Sequence, residues 1–382
     1  MRLSPVLESQ GTYPFVRLEQ AKRRKAAAGM PLIDLGLGDP REATDPLIRA
    51  ALVEALGETS SYPKAEGLPE LREALARWCN RRFGVQLDPE TELIPTYGSK
   101  EAIFSFAQVI LDPGGERSLV VTTEPGYPVP ERGARFAGAE VLALPLLEER
   151  GFLPDVEALD AATLARIALF WVNYPNNPTG AVAPLRFYER LAELAAEHGF
   201  LIASDEAYSE LWFDKAPPSA LQVADRSHVV VFNTLSKRSS MTGYRSGFVA
   251  ATPEVIGALR AYRPNVGTAP QEFVQRASIA AWSDEAHVER TRETYRRKRA
   301  LFLAAFARAG IEVAGSEATL YLWVRVPEGE SSEGLAERLL DHGVVAAPGS
   351  YLGEHGEGYV RLALVPSEAD CARAAELIVE AW

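Results

Sequence analysis

Between residues 118 and 234 the chain presents a succession of short apolar runs, Ser118–Thr122, Ala139–Leu144, Ile167–Val172, Leu201–Ser204 and Val229–Asn233. Each is mainly apolar, Ser118–Thr122 being rich in β-branched residues, and each is too short for a helix. None shows the strict apolar/polar alternation of a strand with one wet face, so each reads as a strand buried on both sides. Helical patterns lie between them, as at Leu185–Glu197, and Pro/Gly punctuation at 125–130 separates the first two. Strands alternating with helices imply a parallel sheet covered by helices, because parallel neighbours need a long crossover.

The flanks fill in around this centre. Residues 1–45 read as an irregular lead segment with one charged helix, Glu19 to Ala28, and the turn Gly36-Leu37-Gly38-Asp39-Pro40. Amphipathic helices are expected over 46–56 and 68–83, the second presenting Leu71, Leu75 and Trp78 on one face, and Gly98-Ser99-Lys100 opens an apolar helix. After residue 250 the texture changes. A long charged helix covers about 283–308, period-two alternation runs from Leu320 to Val326 around Tyr321 and Trp323, a strand starts at 359, and a helix closes the chain at 367–381. The expected fold is α/β: a large domain over 46–275 with a mainly parallel, helix-covered sheet, and a smaller α+β domain formed by 276–382 with the 1–45 segment. A length of 382 residues, 47% of them apolar, suits this division.

Composition removes several function classes. A net charge of -12 argues against a nucleic-acid partner. The stretch after Met1-Arg2-Leu3-Ser4-Pro5 has no apolar signal region, and no apolar run approaches the ~20 residues that span a bilayer. A soluble, cytoplasmic protein without a membrane partner is expected. Cys79 and Cys371 sit in helix-like apolar patterns without metal-ligand spacing, so buried reduced thiols and no metal site are expected.

In open α/β sheets ligands bind beyond the carboxyl ends of the strands. Ile167–Val172 is followed by Asn173-Tyr174-Pro175-Asn176-Asn177-Pro178-Thr179-Gly180, and Leu201–Ser204 by Asp205-Glu206-Ala207-Tyr208. Val229–Asn233 is followed by Thr234-Leu235-Ser236-Lys237, then Gly243-Tyr244-Arg245. Each piece has an ordinary reading: a turn, a helix cap, a core tyrosine, a solvated lysine, an arginine in an ion pair. Together they deliver an amide, a carboxylate with a phenol, and an amine with a guanidinium to one edge of one sheet.

Over nearly its whole length the chain resembles the fold-type I, class I/II aminotransferases. The likeness is carried by Tyr62 with Gly67 and Leu71-Arg72, Gly98-Ser99-Lys100-Glu101-Ala102, Pro125-Gly126-Tyr127-Pro128, Asn177-Pro178-Thr179-Gly180, Asp205-Glu206-Ala207-Tyr208, Ser236-Lys237 with Gly243-Tyr244-Arg245, and Arg361-Leu362. The resemblance implies pyridoxal 5'-phosphate as cofactor, bonded to Lys237, which also carries the proton between the substrate Cα and the cofactor. Asp205 matches the carboxylate that keeps the pyridine nitrogen protonated, and Tyr208 and Asn177 match the pair on the phenolic oxygen. The phosphate is matched by the Ser99 and Lys100 amides at a helix N-terminus, the Thr234 and Ser236 hydroxyls, and Arg245. Tyr127 matches the aromatic stacked on the ring. Tyr62 matches a tyrosine that reaches the neighbouring subunit's cofactor, implying a homodimer with shared active sites. Arg361 matches the clamp on the substrate α-carboxylate, and Gly38 a backbone contact to the same group.

The implied reaction is ping-pong transfer of an amino group between an amino acid and a 2-oxo acid. The stretch Ser236-Lys237-Arg238-Ser239-Ser240 resembles the loop of succinyldiaminopimelate aminotransferases. That likeness points to N-succinyl-LL-2,6-diaminopimelate with 2-oxoglutarate and glutamate, in lysine biosynthesis. An aspartate or broad-specificity aminotransferase, or one acting on free LL-diaminopimelate, is the alternative. A β-lyase shares the cofactor residues, and a cofactor-binding regulator lacks room here for a DNA-binding domain before residue 46. A succinyl carboxylate would need a cation, for which Lys64, Lys100, Arg17, Arg238 and Arg263 are candidates. Tyr13 and Phe15 mark an N-terminal segment whose closure over the site the sequence leaves open.

Overall fold

The computed structural model describes residues 4–9, 15–59 and 61–382, so Tyr13 lies outside the described residues. Its strands are β1 (Ile33–Asp34), β2 (Leu93–Thr96), β3 (Leu119–Glu124), β4 (Glu140–Pro145), β5 (Ile167–Asn173), β6 (Leu201–Asp205), β7 (Val229–Thr234), β8 (Gly247–Ala250), β9 (Val313–Gly315), β10 (Tyr321–Arg325), β11 (Val344–Val345), β12 (Ala347–Pro348) and β13 (Tyr359–Ala363). Seven form one sheet in the order β2-β8-β7-β6-β5-β3-β4. Its neighbours from β7 to β4 pair in parallel, and β8 runs antiparallel to both β7 and β2. The expected α/β fold is found, with the large sheet mostly parallel.

The continuous apolar runs have the predicted cause. In β5, Phe170 and Val172 join the core on one face of the sheet while Leu169 and Trp171 join the core on the other. In β7, Val229 and Val231 divide from Val230 and Phe232 in the same way. With no wet face in β5 and β7, there is no polar alternation to see. The edge strand β4 departs from the expectation: Glu140 and Ala143 are exposed and most of its other residues only half-buried.

Two strands of this sheet escape the sequence reading. In β2, a proline interrupts a four-residue run, and β8 follows directly on the Gly243–Arg245 loop. Helices at Pro253–Val266 and Glu272–Ser283 were also unmarked. The first carries Pro264 inside it, which at sequence level reads as a stop. The lead helix begins earlier than its charge pattern implies, at Phe15, and ends at Ala27.

A second, antiparallel sheet has the order β12-β13-β10-β9. In its central pair Trp323 lies opposite Arg361 and Tyr321 opposite Ala363. The long helix Ala286–Ala309 and the last helix Glu368–Ala381 pack together, and their Phe302, Phe306, Ala374 and Ile378 share a core with Leu322, Val324, Val360 and Leu362. β1 pairs in parallel with β11, and the Ala363 amide donates to the Leu35 carbonyl at 2.7 Å, so the lead segment lies against the C-terminal third. Cys79 and Cys371 are both buried free thiols.

Candidate active site

The carboxyl ends of β5, β6 and β7 lie side by side. Asn173 is in register with Asp205, and Asp205 with Phe232. The polar residues that follow these strands therefore open into one cavity of about 350 Å³. All the site residues named from the sequence line it except Tyr62: Gly38, Ser99, Lys100, Tyr127, Asn177, Asp205, Tyr208, Thr234, Ser236, Lys237, Arg245 and Arg361. Tyr62 is fully exposed on the surface of the chain, outside the cavity.

Lys237 stands on the one-turn helix Leu235–Arg238, whose second amide is capped by Thr234 Oγ1 accepting from Ser236 N at 3.2 Å. The lysine Nζ donates to the Gly38 carbonyl at 2.5 Å. Loss of hydration pushes the amine down to about 8, helped by the Arg361 and Arg245 charges and opposed by Asp39 and Asp205. Asp205 is buried and accepts from the Ala207 amide at 3.2 Å, and burial raises its carboxyl to about 7. A buried carboxylate and a partly deprotonated amine facing one cavity suit a group that brings a protonated ring nitrogen to the first and an aldehyde to the second.

The opposite end of the cavity is built for an anion. The helix Ser99–Ile110 has Gly98 as its N-cap, and no side chain caps its first amides. Gly98 has φ +70°, and a Cβ there would lie 2.4 Å from Arg245 Nη2. A Cβ on Gly247 would lie 3.1 Å from the Ser99 nitrogen. Both glycines thus let backbone and guanidinium approach a common point. Arg245 itself adopts φ +56°, a left-handed conformation costly for arginine, and its Nη1 donates to the Thr242 carbonyl at 2.7 Å. Free amides at a helix N-terminus, the Ser236 hydroxyl and a fixed guanidinium form a phosphate cradle, while the Thr234 hydroxyl lies beside them and gives its hydrogen to the Ser246 carbonyl at 2.9 Å.

Arg361, buried on β13, donates from Nη1 to Asn177 Oδ1 at 2.9 Å and from Nη2 to the Gly36 carbonyl at 2.7 Å. A guanidinium only donates, so the first bond fixes the Asn177 amide and leaves its Nδ2 hydrogens as donors. Arg361 Nε is buried without a hydrogen-bond partner. An orphaned donor on a buried cation is an open seat for an anion.

The structure adds residues the sequence reading did not select. Tyr321, noted only for strand alternation, lines the cavity with Asn173, Asp39, Thr242 and Leu352. Its ring lies 4.4 Å from the Arg361 guanidinium carbon, and the Phe15 ring lies 5.3 Å from it. The one signal for Tyr321 was the glycine at 38, where a Cβ would fall 1.9 Å from the tyrosine oxygen.

Of the five candidate cations for a distal carboxylate, the structure places only Lys100 at the cavity. Arg238 is buried behind it, donating to the Ala281 carbonyl at 2.6 Å and to Glu285 at 2.8 Å, with the rings of Trp282 and Trp78 at 5.0 and 5.7 Å. Ser239 bonds His287 at 2.8 Å. The Arg238-Ser239 pair is therefore packing, not a substrate reader. Arg263 is buried against Glu101 and the Thr268 carbonyl. Arg17 lines a separate groove with Lys25 and Glu333, and Lys64 is exposed away from the cavity.

The chain matches the family described as aminotransferase class I and II over residues 30–378. It is 40% identical over 375 residues to an LL-diaminopimelate aminotransferase of Dehalococcoides mccartyi, covering 96% of each chain. It is 41% identical over 363 residues to one of Aquifex aeolicus, covering 93% of each. A solved Thermus thermophilus structure described as "probable N-succinyldiaminopimelate aminotransferase" superposes with a TM-score of 0.90 at 31% identity, over 96% of this chain and 100% of the other. The chain belongs to the class I and II aminotransferases, pyridoxal-phosphate-dependent enzymes that move an amino group between an amino acid and a 2-oxo acid.

Proposed function

We propose that the amino donor is LL-2,6-diaminopimelate and the acceptor 2-oxoglutarate. The observation that carries this reading is the near-full-length identity, about two residues in five, to curated relatives that bear that activity in their names. It replaces the N-succinyl substrate as first choice, because the loop that pointed there is buried structure. The lining agrees in its chemistry. Lys100 and Asp39 are a cation and an anion among the residues that line the cavity, and the far end of diaminopimelate carries a carboxylate and an ammonium. A succinyl amide abolishes the ammonium and leaves Asp39 facing a neutral group.

We assign the residues as follows. When bound, pyridoxal phosphate supplies an aldehyde and an electron-accepting ring, which stabilises the charge left when the substrate Cα loses its proton. Lys237 holds the aldehyde and then carries that proton. Asp205 holds a proton on the ring nitrogen, where an amide in its place would not. Asn177 and Tyr208 donate to the phenolic oxygen, and Tyr127 covers the ring. Ser99, Lys100, Thr234, Ser236 and Arg245 hold the phosphate, and Arg361 with the Gly36–Gly38 loop binds the α-carboxylate. Exposed Tyr62 is assigned to the cavity of a second copy, so the working unit is a homodimer. The smaller domain, expected from the sequence as residues 1–45 with 276–382, is taken to begin only after Ser283, because the helix Glu272–Ser283 puts Ala277, Ala281 and Trp282 in one core with Trp78, and it closes on the larger domain.

The test is a single-turnover screen of LL-diaminopimelate, its N-succinyl derivative, L-aspartate and L-glutamate, read by loss of the cofactor–lysine absorbance. LL-diaminopimelate and glutamate are expected to react at least ~10-fold faster than the other two, the worth of one unsatisfied polar group. Faster reaction of the succinyl derivative or of aspartate overturns the assignment.

A further inference from the structure

Tyr208 and Tyr321 place their hydroxyl oxygens 2.9 Å apart, with rings edge to face at 5.6 Å between centroids. Both are buried, and the two come from different sheets: Tyr208 follows β6, and Tyr321 opens β10. The contact is pinned from several sides. The Leu211 amide donates to the Tyr208 carbonyl at 3.0 Å, and the Thr319 amide donates to the Leu211 carbonyl at 2.6 Å. Trp212 bridges Ala318, and Thr319 is held at φ +72°, a costly conformation for a β-branched residue. Thr319 Oγ1 then accepts from the Tyr321 amide at 3.0 Å. On its far side the Tyr321 hydroxyl rests where only a glycine at 38 leaves room.

Two phenols own two hydroxyl hydrogens, and their mutual contact uses one. Burial and the neighbouring phenol hold Tyr208 protonated well above its ordinary range. Either hydroxyl can donate in this contact; the Arg361 cation, whose charge also acts on Tyr208, lies over the Tyr321 ring and draws density from it, which is the ground for taking Tyr321 as the donor. Tyr208 then accepts, and its own hydrogen is left for the cavity. Hydrogen bonds in such a chain strengthen one another.

We propose that Tyr321 is a positioning residue: it donates to Tyr208 and so fixes the Tyr208 hydrogen on the cofactor's phenolic oxygen. This rests on the assignment of Tyr208 to that oxygen. The arrangement couples β10, beside the Arg361 strand, to the Tyr208 hydroxyl. Tyr321→Phe keeps the ring over Arg361 and removes only the hydroxyl.

The test is a spectrophotometric pH titration of the cofactor–lysine chromophore in the holoenzyme and in Y208F, Y321F and the double variant. A donor to the phenolic oxygen favours its anion, so losing one raises the midpoint. Y208F is expected to raise it most, Y321F by about 0.5 pH, part of one hydrogen bond, and the double variant to match Y208F. An unmoved midpoint in Y321F, or a double variant shifted beyond Y208F, overturns the relay while leaving the Tyr208 assignment intact. A parental midpoint in Y208F removes that assignment and the relay with it.

Discussion

Arg361 and Asn177, brought together from 184 positions apart by β13 and the loop after β5, are joined by a 2.9 Å hydrogen bond in the cavity lining. The bond ties the guanidinium of the smaller sheet to an amide of the larger one. Asn177 lines the same cavity as Asp205 and Tyr208.

Arg361→Leu is expected to raise KM for amino and 2-oxo acids by about 10²-fold or more, since a charge-assisted fork is worth several kcal/mol to a carboxylate. The phosphate cradle lies elsewhere, so pyridoxal phosphate should remain bound, as equilibrium dialysis would show. An unchanged KM would remove Arg361 from the substrate site.

Asp205 gives a pH signature in the cofactor-free chain. Its carboxyl is raised by burial from 3.8 to about 7, so between those values the folded chain holds more protons than the unfolded one. Stability contributed here is lost as pH rises from about 4 to about 7 and is level above. The thermal midpoint of cofactor-free Asp205→Asn should therefore climb relative to the parent across that window. In the holoenzyme the same change should cost most of the turnover, because an amide cannot keep the ring nitrogen protonated. A flat difference from pH 4 to 8 would mean that Asp205 titrates normally.

Lys237 runs the other way. Its amine is lowered from 10.5 to about 8, so the cost of burying its charge is fully present below 8 and fades as pH rises toward 10.5. Only the free amine attacks an aldehyde, so the rate of cofactor uptake should rise with pH through a midpoint near 8. Asp39→Asn removes a charge that raises the amine and should move that midpoint lower. Lys237→Ala should abolish turnover and the visible absorbance together. Turnover near the parental level in that variant would refute the central assignment.

What was legible in the sequence followed from local physics. β5, β6 and β7 are apolar up to their carboxyl ends because both faces are buried, and the polar groups at and after those ends are too polar for their position unless they meet a ligand. β8 and Tyr321 were not legible for a common reason: their meaning is set by pairing across long sequence distances. Gly247–Ala250 is ordinary until it lies between β7 and β2, and Tyr321 is a strand tyrosine until Gly38 makes room for its hydroxyl. Arg238 failed in the opposite sense. Adjacent to Lys237 in sequence, it points away from the cavity into the Trp78–Trp282 layer, because consecutive residues of a helical turn face different directions.

That last contrast can be measured. If Arg238 is packing, Arg238→Met keeps most of its volume against Trp78 and Trp282 but strands the Ala281 carbonyl. Glu285 is half exposed and can return to water, so the loss should be about 2–3 kcal/mol in urea unfolding, below the cost of orphaning a fully buried partner. The ratio of kcat/KM for LL-diaminopimelate over its N-succinyl derivative should stay within about twofold of the parent, since no atom of the cavity wall has changed. A stable Arg238→Met enzyme with a tenfold shift in that ratio would return Arg238 to the substrate site and revive the succinyl reading.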